Sequence, residues 1–172
     1  MRKASLFLLV LVMTVPAAAQ SPWMRLPGMR FAGQITRDAN GVAHIRAFTD
    51  YDVVFLNGYV HAQDRLFQMD VSRRRASGTL AELLGPAALA ADVQLRTIGI
   101  RRAAERSLPI ITPESRAGLE AYAEGVNTFV ASLQQLPPEY QALEITKFKP
   151  WGLTARGVVL EDTPQGPRWK KA

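Results

Sequence analysis

Gly58-Tyr59-Val60-His61-Ala62-Gln63-Asp64-Arg65-Leu66-Phe67-Gln68-Met69-Asp70 is the stretch on which the fold turns. Around it, Val53, Leu56, Val60, Phe67 and the Leu66/Met69 pair recur at three- and four-residue steps, the spacing of one helix face. Thr49 is placed to cap that helix, and Asp52 falls in the first turn, near the positive end of the helix dipole. Gly58 interrupts the run, so the segment reads as one bent helix or as two. Ser77-Gly78 breaks it, and Leu80-Ala81-Glu82-Leu83-Leu84 adds a short helical unit stopped by Gly85-Pro86.

Upstream the period is two rather than three or four. Gln34-Ile35-Thr36-Arg37 and Val42-Ala43-His44-Ile45-Arg46 alternate around Asp38-Ala39-Asn40-Gly41. Asn-Gly between two alternating runs is a strong hairpin signal, because both residues tolerate positive φ. A lone hairpin is marginal and needs a surface to lie against. Downstream, Ala88 to Arg106 reads as a second, weakly amphipathic helical region. Thr112-Pro113-Glu114 then supplies a cap, a proline at the first helical position and an early acid. Leu119, Tyr122, Val126, Phe129, Val130 and Leu133 form the stripe of that helix, which ends before Pro137-Pro138. The fold class is α+β: mainly helical, with an N-terminal β-hairpin.

The ends set the compartment. Met1-Arg2-Lys3, then Leu6-Phe7-Leu8-Leu9-Val10-Leu11-Val12-Met13, then Ala17-Ala18-Ala19, form a secretory signal peptide over residues 1–19, with Gln20 the expected first mature residue. Its apolar core is too short to cross ~30 Å of hydrocarbon, so no stable membrane span is expected after cleavage. The expected location is periplasmic or secreted. The 172 residues contain no cysteine, which removes disulfides, thiol catalysis and thiolate metal sites. The formal charge is +6, two units of which sit in the leader at Arg2 and Lys3. Arg73-Arg74-Arg75 and Arg101-Arg102 lie within helical segments that also carry acidic residues. They read as solvated faces and ion-pair partners, and no nucleic-acid partner is expected.

Chemistry is sparse. The two histidines, His44 and His61, share no ligand spacing, and a packing role suits His61 better than a metal. No G-x-S-x-G elbow and no phosphate-cradling glycine loop occurs. Asp64, Asp70 and Glu82 could form an acid/base pair. In a run this rich in arginine they read better as salt-bridge partners, Asp64 to a residue one turn away and Asp70 to Arg73 or Arg74. No catalytic, cofactor-binding or metal-ligating residue is therefore assigned.

Several blocks in order carry a family likeness: Ile35-Thr36-Arg37-Asp38 with Gly41-Val42 and His44-Ile45; the Gly58–Asp70 stretch; Arg74-Arg75-Ala76; Gly78, Leu80-Ala81-Glu82-Leu83 and Gly85. Arg96, Gly99, Arg102 and Ala104, then Ala121-Tyr122-Ala123-Glu124-Gly125-Val126-Asn127, Leu136-Pro137-Pro138-Glu139 and Pro150-Trp151 continue it. Over about residues 30–151 the chain resembles the N-terminal region of the penicillin acylases, also called penicillin amidases. The organisation expected is a signal peptide (1–19), an A-chain-like region (20–151) and a divergent, disordered tail (152–172).

The resemblance implies an exported precursor that cuts itself into an A chain and a larger B chain. The B chain's N-terminal serine attacks an amide carbonyl, with its own α-amine as base. It implies a four-layer αββα fold, incomplete here, and a calcium ion bound in the complete family member. The chain departs from that pattern. No serine or cysteine follows Ser132; Thr146, Thr154 and Thr163 have too little chain after them; and Ser21 lies in an irregular lead-in before Pro22. Glu161 and Asp162 match no calcium motif. The expectation is an N-terminal fragment, inactive alone, through truncation or a frame change near Trp151. A non-catalytic subunit that pairs with a separately encoded B-chain-like catalytic subunit, or a small exported helical binding module, remains as an alternative. The scaffold roles expected are Tyr59, Leu66, Phe67 and Met69 for packing, Asp64, Asp70, Arg74 and Glu82 for polar ties, and Asp38 with Asn40-Gly41 for the turn. Alone, residues 20–172 are expected to aggregate or to form a poorly packed helical state.

Overall fold

The computed structural model describes residues 22–145 and Trp151, together with the strand backbones of 158–163 and 166–171. The signal peptide read at residues 1–19, and the Gln20 and Ser21 beside its cleavage site, lie outside the described residues. So do 152–157 of the tail. Among the described residues no helix is long and apolar enough to cross a membrane.

Strand β1 (Gly33–Arg37) pairs antiparallel with β2 (Ala43–Ala47), Ile35 opposite Ile45. The turn is organised by the Asp38 carboxylate, which accepts the N–H groups of Asn40 and Val42, each at 2.9 Å. Those bonds, that from Val42 foremost, hold the Asp38 carboxyl below its usual range, with nearby His44 adding to the effect. Of the Asn40-Gly41 pair only Gly41 takes positive φ (+80°). Ile35, Ile45 and Ala47 lie against a buried cluster of Met29, Phe55, Leu56 and Ala121, which is the surface the hairpin needs.

Helix α1 (Asp50–Ser77) is the spine. Its N-terminus is capped by Thr49, whose hydroxyl accepts the Asp52 N–H at 3.1 Å. It ends at Gly78, in the left-handed region at φ 64°, with the N–H groups of Gly78 and Thr79 closing onto Arg75 and Arg74 carbonyls. The bend is not at Gly58. It is at Arg65, which has φ −145° and ψ 30° inside the helix. Gly58 serves another purpose: a Cβ there would overlap the Tyr122 carbonyl oxygen, and one on Gly125 would overlap that of Phe55. Paired glycines let α1 and α5 (Pro113–Ser132) touch backbone to backbone.

The face of α5 that is buried differs from the stripe of large residues. Ala121, Ala123, Gly125 and Val126 are buried, while Leu119 is half exposed. Close approach demands small side chains, so the larger Tyr122, Phe129, Val130 and Leu133 pack at the margins around Ala62, Leu66, Leu83, Val126 and Tyr140. As expected, Thr112 caps α5 and Pro113 opens it.

Between them runs an arm: α2 (Ala81–Leu84), a 3-10 turn at Pro86–Ala88, α3 (Leu89–Ile98) and α4 (Ile100–Ser107). The single helical region read over Ala88–Arg106 is thus two helices, divided at Gly99 with φ 81°. A short α6 (Pro138–Ala142) follows α5 and buries Tyr140. Where a loose tail is expected, β3 (Val158–Thr163) and β4 (Gly166–Lys171) pair antiparallel, Val158 opposite Lys171. The β-branched run Val158-Val159 carried that signal, but it is too short to show a period.

Candidate functional site

The polar residues of the Gly58–Asp70 stretch and its neighbours converge on contacts that tie elements together. Asp70 is fully buried and holds Arg73 Nη2 at 2.6 Å, Arg74 Nε at 3.1 Å and the Tyr140 hydroxyl at 3.3 Å. Arg74 continues to Glu82 at 3.1 Å, so one carboxylate on α1 links α2 and α6. Burial, then the Asp70 charge, pushes the Tyr140 phenol well above its usual range, keeping it a donor.

Two more buried acids work on backbone N–H groups. Asp52 accepts from Arg30 and Phe31 at 2.8 and 3.1 Å and from the Thr49 hydroxyl at 2.6 Å, pinning the lead-in to the start of α1. Asp92 accepts from Leu80 and Ala81 at 2.9 and 2.7 Å, tying α3 to the start of α2. Neither role was visible in sequence spacing, because each bridges residues more than ten positions apart. Asp64 also differs from expectation. It pairs with Arg37 on β1, at 2.7 Å, rather than with a residue one turn away. Arg37 also takes Gln63 at 3.0 Å, clamping the hairpin to α1.

At the α1–α5 crossing, the His61 ring Nδ1 lies 2.9 Å from the Tyr122 hydroxyl, and Tyr51 donates to Glu124. Burial, reinforced by Glu124, pushes the Tyr51 phenol up to about 12; burial likewise raises that of Tyr122. Both phenols stay protonated at neutral pH, so neither serves as a base. The His44 ring, on β2, lies 3.3 Å from Asp38, and the two histidines are not brought together.

A groove of about 600 Å³ runs along α1, lined by His61, Arg65, Gln68, Met69, Ser72 and Arg73, with Trp151 as its far wall. Trp151 is held there by Asn127, whose amide donates to the Trp151 carbonyl at 2.8 Å and accepts its N–H at 2.9 Å. Among the described residues no carboxylate lines the groove. Among the described residues no three of His, Cys, Asp and Glu gather as a cation site, and the buried acids are already met by N–H, hydroxyl or guanidinium donors. The calcium implied by the resemblance therefore finds no fitting cradle in them.

The model of the penicillin amidase family matches residues 32–164. The chain belongs to the penicillin amidase family. The chain is 40% identical over 130 residues to penicillin acylase 2 proenzyme of Pseudomonas sp. (strain SE83), covering 74% of this chain and 17% of that protein. It is 44% identical over 96 residues to the acyl-homoserine lactone acylase QuiP of Pseudomonas aeruginosa, covering 56% of this chain and 11% of QuiP. With penicillin G acylase of Escherichia coli it shares 33% over 123 residues, 72% of this chain and 14% of the enzyme. The chain thus spans between about a tenth and a fifth of the length of these curated relatives. The fold agrees: the thermostable penicillin G acylase of Alcaligenes faecalis superposes with a TM-score of 0.63 at 32% identity, over 72% of this chain and 66% of that one. A mostly helical chain with an N-terminal hairpin matches part of that family's fold.

Proposed function

We propose that this chain is the N-terminal scaffold of an exported acylase that hydrolyses N-acyl amide bonds, and that it is inactive alone. The attacking serine and the oxyanion donors come from a B-chain-like polypeptide that it helps to hold. The observation that carries this reading is where the acids of the helical region spend their polar atoms. Asp52, Asp64, Asp70, Arg74, Glu82 and Asp92 all close contacts between elements. Asp70, buried and paired with two guanidiniums and a phenol, is withdrawn from any substrate proton. The relatives' names bound the substrate class to β-lactam acyl side chains and acyl-homoserine lactones.

Exposed apolar surface supports a partner. Phe48, at 71% exposed, stacks on half-exposed Trp23 beside the hairpin, with ring centroids 4.9 Å apart. Phe31 and Val42 are exposed in the same region of the chain. The test is expression of the chain with its signal peptide, followed by subunit analysis and assay on a chromogenic N-acyl anilide. The expected result is export, no turnover by the chain alone, and turnover in samples that carry a large serine-initiated subunit. Turnover by the purified chain alone sinks the proposal.

A further inference from the structure

Three observations meet at the groove along α1. Arg65, in the middle of its floor, is the residue that leaves helical geometry within α1. A backbone departure inside a long helix is a cost that persists where something else uses it. Trp151, its wall, has an indole N–H that is buried with no acceptor among the described residues. Trp151 as a whole is only partly buried, which leaves part of the ring facing the groove.

The third observation is charge. His61, Arg65 and Arg73 line the groove, and among the described residues no carboxylate joins them. Arg73 is fixed from beneath by Asp70 and stands 5.3 Å from the centre of the Trp151 ring. Met69, the indole face and the arginine stems supply hydrocarbon. The volume, about 600 Å³, falls within the ~300–1,000 Å³ usual for small-molecule sites.

We propose that this groove binds a small amphiphilic carboxylate, its charge taken by the Arg65 guanidinium, its apolar body lying on Met69 and the indole face. A bare inorganic anion leaves the hydrocarbon wall wet, and a neutral alcohol leaves the cations unanswered. Binding here needs no acyl-transfer chemistry, so it stands or falls apart from the proposed activity.

The test uses the full chain with any subunit that copurifies, in a Trp23→Phe/Trp169→Phe background that leaves Trp151 as the sole tryptophan of the original three. Octanoate, octan-1-ol and acetate are titrated while Trp151 emission is followed, and hydrogen exchange of residues 61–73 is compared with and without octanoate. Octanoate is expected to saturate the signal and protect those amides, with octanol and acetate weaker by roughly tenfold or more. Arg65→Gln, at an exposed position, is expected to weaken octanoate by roughly tenfold while leaving the circular dichroism spectrum unchanged. Equal response to octanol and octanoate, an Arg65→Gln variant that binds as before, or no protection along 61–73 overturns the site.

Discussion

The α1–α5 crossing and the α3–α4 arm are both helix pairs, yet they are held by opposite means. At the crossing the two backbones meet at Gly58 and Gly125, and Phe55, Leu56, Ala121 and Val126 are fully buried around them. In the arm, α3 buries only Asp92 and α4 buries nothing. Leu89, Val93, Ile98 and Ile100 stay exposed, as does Ile110 just beyond, at 82%. The arm is kept in place by polar contacts: Asp92 on two backbone N–H groups, and Arg96 Nε on the Gly78 carbonyl at 2.6 Å. Area removed from water stabilises the first pair. The second depends on a few directional bonds and leaves its apolar side for something else.

Substitutions can sharpen or break that contrast. The largest effect is expected at the buried acid of the crossing's upper cluster. Asp70→Ala leaves Arg73 and Arg74 without their shared carboxylate and should cost about 3–5 kcal/mol by urea denaturation of the assembled protein. A loss under about 1 kcal/mol would mean that the network is dispensable. Gly125→Ala comes next. Its new methyl meets the Phe55 carbonyl, which cannot move without α1, and a cost of about 2–3 kcal/mol is expected. Wild-type stability in that variant would refute the close approach.

Asp92→Ala should cost about 1–2 kcal/mol, and by hydrogen exchange the loss should be confined to residues 79–107. Loss of protection in α5 as well would show that arm and crossing fold as one unit. Smallest of all, Ile98→Ser and Ile110→Ser should change stability by less than about 0.5 kcal/mol while reducing self-association on gel filtration. A large loss of stability from either would mean that the arm's apolar side is already covered.

Local pattern determined much of this on its own. The Asn-Gly turn with its Asp38, the Thr49 and Thr112 caps, the stop at Gly78 and the pairing of Asp70 with Arg73 and Arg74 are all written within a few residues of where they act. Propensity, capping and one-turn ion pairs are short-range interactions, so the sequence alone carries them. Family membership was legible for the same reason, since its blocks sit in order along the chain.

Only the tertiary structure decided the rest. Gly58 looked like a hinge and is a contact, because its meaning depends on Tyr122, which lies far away in sequence. Asp64 chose Arg37 across 27 positions, and Asp52 and Asp92 chose backbone N–H groups that no spacing rule connects to them. The bend at Arg65 had no glycine or proline to announce it. The groove required α1 and Trp151 to be brought together by Asn127, whose side chain bonds a backbone 24 residues on. Such partners are selected by which surfaces the chain buries first, and burial is a property of the whole packed chain rather than of any segment.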